Sequence, residues 1–88
     1  MNTVAQLDIV IGLFGRLGIE VRQEHLGGGG GGLCVLHGRR LAFVDLDADP
    51  ATRLECSLRA LAACPELDNV YVPPVIRELI QQNEKVSG

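Results

Sequence analysis

Cys34 and His37 are the two residues whose types and spacing come closest to a metal-binding motif. They lie three positions apart, and Gly38 follows His37. A structural zinc site takes four ligands, and the remaining candidates, His25, Cys56 and Cys64, form no closely spaced second pair. We therefore expect no cofactor and no metal site. A metal- or redox-binding protein that uses Cys34 and His37, with His25 or Cys64, is the alternative.

Three aspartates, Asp45, Asp47 and Asp49, alternate at the end of an apolar run. This pattern resembles the strand-end Asp-x-Asp of the haloacid dehalogenase family, which implies a phosphoryl nucleophile at Asp45 and a small enzyme that uses Mg²⁺. The residues themselves favour a simpler interpretation. We expect the three side chains to stay solvated and to place negative charge at the start of a helix, with Asp49 as N-cap and Pro50 in the first turn. No catalytic residue is predicted, and an enzyme is the less favoured reading.

Six consecutive glycines, residues 27–32, precede the apolar run. A phosphate-binding loop presents its backbone N–H groups at the start of a helix and is followed by Lys and Ser or Thr. Here the glycines lead into a predicted strand, and no such pair follows. Because glycine has the greatest backbone freedom, we predict a flexible loop at 27–32.

The segment around His37 and Gly38 is predicted to form a β-hairpin with these residues as its turn. Side chains alternate between the two faces of a strand. One face then carries Leu33, Val35, Ala42, Val44 and Leu46. The other carries Cys34, Leu36, Leu41 and Phe43. Both faces are mostly apolar, unlike those of a sheet with one solvated side, so we expect one of them to contact a partner chain unless the subunit itself buries both.

The rest of the chain predicts helices on either side of this hairpin. Apolar spacing indicates a helix at about 3–17 with Thr3 as its cap, and a short strand follows at 19–26. A second helix begins at Asp49–Pro50 and ends near Cys64–Pro65. A short edge strand is predicted at 70–72, a short last helix starts at 73–74, and the tail 83–88 is expected to be frayed. The predicted fold is a single two-layer α+β domain, 1–88, with an antiparallel three-stranded sheet.

Composition restricts the partners that we expect. The chain has 88 residues with a formal net charge of -3, whereas nucleic-acid-binding proteins usually carry a basic excess. We therefore expect no nucleic-acid partner. No apolar run approaches the length of a membrane span and no signal peptide is recognisable, so no membrane partner is predicted. The three scattered cysteines fit a reducing cytoplasm better than a disulfide framework.

A sheet followed by a helix near Thr52–Arg53 resembles the small zinc peptidases of regulatory operons. In that family the helix carries His-Glu-x-x-His, whose histidines bind the metal. The corresponding segment 54–60 contains no histidine. The resemblance therefore implies, at most, an inactive relative of a small regulatory peptidase.

The function that these observations favour is a cytoplasmic protein-interaction module without catalytic activity. We expect it to form a homo-oligomer, or to bind another protein, through an apolar hairpin face or a strand edge. The predicted interface residues are Leu33, Val35, Val44 and Leu46. The opposite face, with Cys34, Leu36, Leu41 and Phe43, is the alternative, and the sequence does not decide which of the two faces inward.

Overall fold

The computed structural model describes residues 2–87 and has an α+β fold with three α-helices and a three-stranded sheet. A 3-10 helix at Pro65–Asn69 lies between the second and third α-helices. The elements, in chain order, are α1 Thr3–Arg16, β1 Glu20–Glu24, β2 Gly31–Leu36, β3 Arg39–Asp45, α2 Pro50–Ala62 and α3 Pro74–Ser87.

The sheet is mixed, with the strand order β1-β3-β2. β2 and β3 form the predicted hairpin in the predicted register, with Leu36 opposite Arg39 and Cys34 opposite Leu41. β1, however, pairs in parallel with β3. The prediction of a purely antiparallel sheet is therefore wrong. The reason is the connection at 25–30, which crosses the C-terminal end of β3 from one edge of the sheet to the other instead of turning back beside β1.

Helix termini follow the expected chemistry, with one change of residue. The Asp49 side chain accepts a hydrogen bond of 2.7 Å from the backbone N–H of Thr52 and caps α2, and Pro50 is its first residue. At α1 the cap is Asn2, whose side chain accepts from the N–H of Ala5 at 2.8 Å. The prediction that Thr3 caps this helix is wrong, because Asn2, one residue earlier, has the extended backbone that an N-cap needs.

The C-terminal part differs from the prediction in two places. Residues 70–72 form no strand, since they follow the 3-10 helix and do not join the sheet. α3 has 14 residues and continues to Ser87, so the prediction of a short last helix is wrong. The segment 83–87 is helical, its fraying stays a prediction, and Gly88 lies outside the described residues. No helix within residues 2–87 has both the length and the apolar character needed to cross a membrane.

The core lies between the three helices and one face of the sheet, which we call the inner face. Ala42 of β3 is 2% exposed and belongs to this core, and Leu33 of β2 and Val21 of β1 pack against it. The helices contribute the largest fully buried side chains, among them Phe14, Leu61 and Ile76. Because residues paired across neighbouring strands share a face, the opposite, open face carries Cys34, Leu36, Leu41 and Phe43 together with Glu20 and Arg22 of β1.

Candidate functional site

Asp45, at the C-terminal end of β3, has no exposed surface although it carries a charge. Its carboxylate accepts four backbone hydrogen bonds. One oxygen accepts from the N–H of Leu26 and of Asp47, both at 2.9 Å. The other accepts from Gly28 at 2.6 Å and from Gly30 at 3.2 Å. The expectation that all three aspartates stay solvated is therefore wrong for Asp45, because the glycine loop folds over it and replaces water as the donor.

Glycine is required at the point where this loop enters β2. Gly30 and Gly31 have φ values of 98° and 99°, a region that residues with a side chain rarely adopt. A Cβ at Gly31 would overlap the carbonyl oxygen of Phe43, and one at Gly30 would overlap the Sγ of Cys56 on α2. The loop can therefore approach Asp45 closely because its glycines have no side chains. The flexibility predicted for 27–32 is a matter of dynamics and stays a prediction.

Asp47 holds the outer part of the same loop. Its carboxylate lies 2.8 Å from the Nδ1 of His25 and accepts from the N–H of Gly27 at 2.9 Å. Arg53, one turn into α2, donates to the carbonyl oxygens of Leu46 and Ala48 at 3.0 and 2.8 Å and fixes the turn between β3 and α2. Charged groups thus tie the glycine loop, β3 and α2 together at one end of the sheet.

The ionisation of Asp45 is tuned by this environment. Burial by itself raises the pKa of the Asp45 carboxyl, but the hydrogen bonds from Leu26, Asp47, Gly30 and Gly28 outweigh burial and lower that pKa from 3.8 to about 2. The hydrogen bond with His25, followed by the hydrogen bond from Gly27, lowers the pKa of the Asp47 carboxyl. Both groups are therefore carboxylates at neutral pH. Their oxygens are engaged with protein donors, which makes this cluster a structural clamp on the loop and a poor set of ligands for Mg²⁺.

The residues of the zinc alternative do not come together. His37 is in the hairpin turn, at the start of β3, whereas His25 lies beside Asp47 at the other end of that strand, roughly 20 Å away at about 3.3 Å per residue. Cys64 is buried at the C-terminal end of α2, where its thiol donates to the Ala60 carbonyl and where burial raises the pKa of the thiol. Within the described part of the chain no three His, Cys, Asp or Glu side chains are grouped so as to hold a metal ion.

The predicted interface residues divide between the interior and the surface. Val44 is only 1% exposed and lies on the inner face, where Leu33 is partly buried against the core. Leu46 is half-buried in the turn after β3. Val35, in contrast, is 65% exposed, because it lies on β2 near the turn. Of the four, only Val35 offers a large free apolar surface.

The alternative face is less apolar than the hairpin sequence indicates. Leu41 lies at its centre yet is 5% exposed, since Glu20 and Arg22 of β1 and Leu36 of β2 surround it. Glu20 and Arg22 form an exposed ion pair at 2.8 Å. The charged strand β1 therefore covers part of this open face. The apolar surface that remains is concentrated on β2, where Cys34 is exposed and Leu36 is 48% exposed.

The two edge strands of the sheet differ in charge. β1 reads Glu-Val-Arg-Gln-Glu, whereas β2 reads Gly-Gly-Leu-Cys-Val-Leu and carries no charge. Edge strands that avoid pairing with other chains usually carry charges, proline or a bulge. By that criterion the edge of β1 is protected from pairing with another chain, whereas the edge of β2 can pair with a further strand. This asymmetry could not be predicted from the sequence, because the sequence places neither β1 nor β2 at a particular edge of the sheet.

Asp45 was the residue of this site that was hardest to recognise from the sequence. The available signal was the combination of six glycines, which supply unhindered N–H groups, with an aspartate that ends the adjacent strand. This pattern predicts a contact only when the strand order is known, because the loop reaches Asp45 only by crossing the end of β3.

Comparisons with protein-family models, with curated proteins and with solved structures found no match to this chain.

Proposed function

We propose that this protein is a non-catalytic interaction module that self-associates through the outer edge of β2. The observation that carries the proposal is a six-residue edge strand, Gly31–Leu36, without a charge or a proline, on which Val35 and Leu36 are exposed. An edge of this kind recognises another strand by main-chain hydrogen bonds, and adjacent apolar side chains add to the contact.

The hairpin register determines which backbone groups of β2 face outward. In an antiparallel pair, alternate residues bond to the neighbouring strand. The N–H of Asp45 donates to the carbonyl of Gly30 at 3.3 Å, and in the same register Cys34 faces Leu41 and Leu36 faces Arg39. The even-numbered residues of β2 therefore bond to β3. The N–H and C=O groups of Leu33 and Val35 therefore point away from the sheet, and the Cys34 thiol donates to the outward Val35 carbonyl at 3.9 Å.

A second copy of the chain is the occupant that fits this edge best. Two identical strands can pair antiparallel about a twofold axis, so that every outward N–H meets an outward C=O. Because β2 is uncharged, its pairing with itself brings no like charges together. The charged strand β1 is less suited to pairing with itself. Antiparallel pairing about its centre would place Glu20 of one copy beside Glu24 of the other.

Three further features fit a cytoplasmic, non-catalytic role. Cys34, Cys56 and Cys64 are all free thiols, as is usual in a reducing compartment. The carboxylates of Asp45 and Asp47 are engaged by the loop, which argues against their use with Mg²⁺. Ser57 is 3% exposed on α2, so its hydroxyl is not accessible to a substrate.

Native mass, measured by sedimentation or light scattering at about 100 µM, tests the proposal. We expect the wild type to have twice the 9.4 kDa of a single chain. Val35→Lys places a charge on the edge and should yield the single-chain mass, because pairing would bury that charge. Val4→Lys is the matched control: Val4 is 58% exposed on α1, away from β2, and its substitution should leave the dimer intact. A wild-type protein with the mass of one chain would overturn the proposal.

A further inference from the structure

The backbone geometry and the surface shape at the edge of β2 also indicate how two copies of the chain would be aligned. We infer that the two β2 strands pair antiparallel about a twofold axis that passes between the two Cys34 residues, with Val35 of each copy packed into a groove between β2 and α2 of the other. This inference rests on the proposed self-association and adds its register.

Backbone geometry restricts the register. Only pairings that match outward-facing residues with each other can form hydrogen bonds, which places the axis at Leu33, Cys34 or Val35. Gly31 has a φ of 99° and is not regular strand, so the regular edge is 32–36. An axis at Cys34 pairs all five of these residues, whereas an axis at Leu33 or at Val35 pairs only three of them. The hydrogen-bonded pairs are then Leu33 with Val35 of the second copy, and the reverse.

The shape of the surface supports the same alignment. A groove of about 220 Å³ lies between β2 and α2, and its lining includes Gly32, Leu33, Ala60 and Ala63. Val35, two residues from Leu33 on the same strand, points to the same side of the sheet and is 65% exposed. With the axis at Cys34, Val35 of one copy lies directly beside Leu33 of the other, at the mouth of that groove. Val35 of each subunit thus fits the groove of the other, so the same contact forms twice in the dimer.

Charge does not oppose this arrangement. The groove contains a single charged residue, Arg59, whose guanidinium donates to the carboxylate of Glu55 at 3.2 Å one helical turn away. Small side chains at Ala60 and Ala63 leave room for a valine. The contact would therefore bury apolar surface without burying an unpaired charge.

The inferred axis places the Cys34 residues of the two copies directly opposite each other. Its backbone bonds to β3, so the two Cys34 residues form a non-hydrogen-bonded pair with a Cα–Cα distance of about 4.5 Å. That distance lies within the range of disulfides, roughly 4.4–6.8 Å. Both thiols are exposed on the open face. An axis at Leu33 or Val35 would shift Cys34 by one position from the axis and separate the two Cα atoms by about 8 Å, beyond the reach of a disulfide.

Crosslinking by diamide tests the register. Diamide removes two electrons and two protons from two thiols, which join as a disulfide while the reagent becomes a hydrazine. We expect wild-type protein at about 10 µM to form a covalent dimer through Cys34, and Cys34→Ser to abolish it. The matched control is Cys34→Ser/Leu36→Cys. Its exposed thiols would lie roughly 14 Å apart across the axis and should crosslink at least about tenfold more slowly, since they meet only by collision between dimers.

The outcomes separate the register from the proposed function. A dimeric native mass with no Cys34 crosslink, or with faster crosslinking of the Leu36→Cys variant, overturns the register and leaves the self-association standing. A single-chain mass overturns both. Native mass is measured on the same Cys34→Ser and Cys34→Ser/Leu36→Cys samples, so a variant that fails to dimerise is recognised as such and replaced by Cys34→Ala or Cys34→Ala/Leu36→Cys.

Discussion

Gly30 and Asp45 exchange hydrogen bonds across the end of the hairpin. The Gly30 N–H donates to the Asp45 carboxylate at 3.2 Å, and the Asp45 N–H donates to the Gly30 carbonyl at 3.3 Å. This pair joins the glycine loop to β3 at the point where the loop crosses the sheet. Because the loop leads directly into β2, the clamp on Asp45 also sets where the proposed interaction edge begins.

Glycine at position 31 should be essential for stability. Gly31→Ala places a Cβ against the Phe43 carbonyl at a φ of 99°, so we expect the free energy of unfolding to fall by about 2 kcal/mol or more. Urea denaturation followed by circular dichroism measures this change. Gly29→Ala is the control, since Gly29 lacks a positive φ and has open space around its Cβ position. It should change stability little or raise it by up to about 1 kcal/mol. Equal effects at the two positions would contradict the close approach at Gly31.

Asp45 should contribute more to stability than Asp47. Asp45→Asn leaves an amide N–H₂ facing N–H donors of the loop in place of a carboxylate oxygen that accepts from them. We expect the melting temperature to fall by roughly 10 °C or more. Asp47→Asn, at a partly exposed site with two partners, should lower it by much less. The reverse order, measured by calorimetry at pH 7, would be inconsistent with the clamp.

From the lowered pKa of the Asp45 carboxylate we predict how the stability of the protein changes with pH. The folded-state pKa of Asp45 is about 2, below the value of 3.8 for a free aspartyl group. A lowered pKa in the folded state means that the stabilisation is fully present above pH 3.8 and is lost as the pH falls toward 2. The difference in melting temperature between the wild type and Asp45→Asn should therefore be constant from pH 5 to 7 and shrink between pH 4 and 2. A difference that persists undiminished at pH 2 would show that Asp45 acts through packing and not through its charge.

Ser57 offers a test of the core. Its side chain is buried on α2, and its hydroxyl has no hydrogen-bond partner among the described atoms. Ser57→Ala removes this unpaired polar group and should raise the free energy of unfolding by about 1 kcal/mol. Leu61→Ala is the contrasting variant one turn later, since Leu61 is fully buried; it should lower stability by about 2–5 kcal/mol. A loss of stability in Ser57→Ala would mean that the hydroxyl is satisfied in solution.

Local features of this fold could be predicted where neighbouring residues determine them. The turn His37–Gly38 set the register of the hairpin, because a two-residue turn leaves one way of pairing Leu36 with Arg39. Asp49 and Pro50 identified the start of α2 through capping chemistry. The apolar stripe of α1 was predicted only in part: Leu7, Val10 and Phe14 are buried as expected, whereas Val4 is 58% exposed.

Features that depend on strand order could not be predicted. The alternation of Val21 with its charged neighbours indicated a strand but contained no information on whether that strand lies beside β2 or β3. The parallel pairing of Glu20 with Leu41 and the burial of Asp45 both follow from that one choice. An isolated aspartate is normally more stable in water, and only the crossing of the glycine loop provides enough N–H donors to bury this one.

Amide hydrogen exchange at Leu33 and Val35 tests the self-association through β2 most directly. Their N–H groups point away from β3, so a second copy is the only strand on the proposed edge that can protect them. We expect both amides to exchange slowly at about 500 µM, as the Cys34 and Leu36 amides do, and to become fast in Val35→Lys while Cys34 and Leu36 stay protected. Fast exchange at Leu33 and Val35 in the wild type, beside slow exchange at Cys34 and Leu36, would show that the edge of β2 is unpaired and would contradict the proposed function.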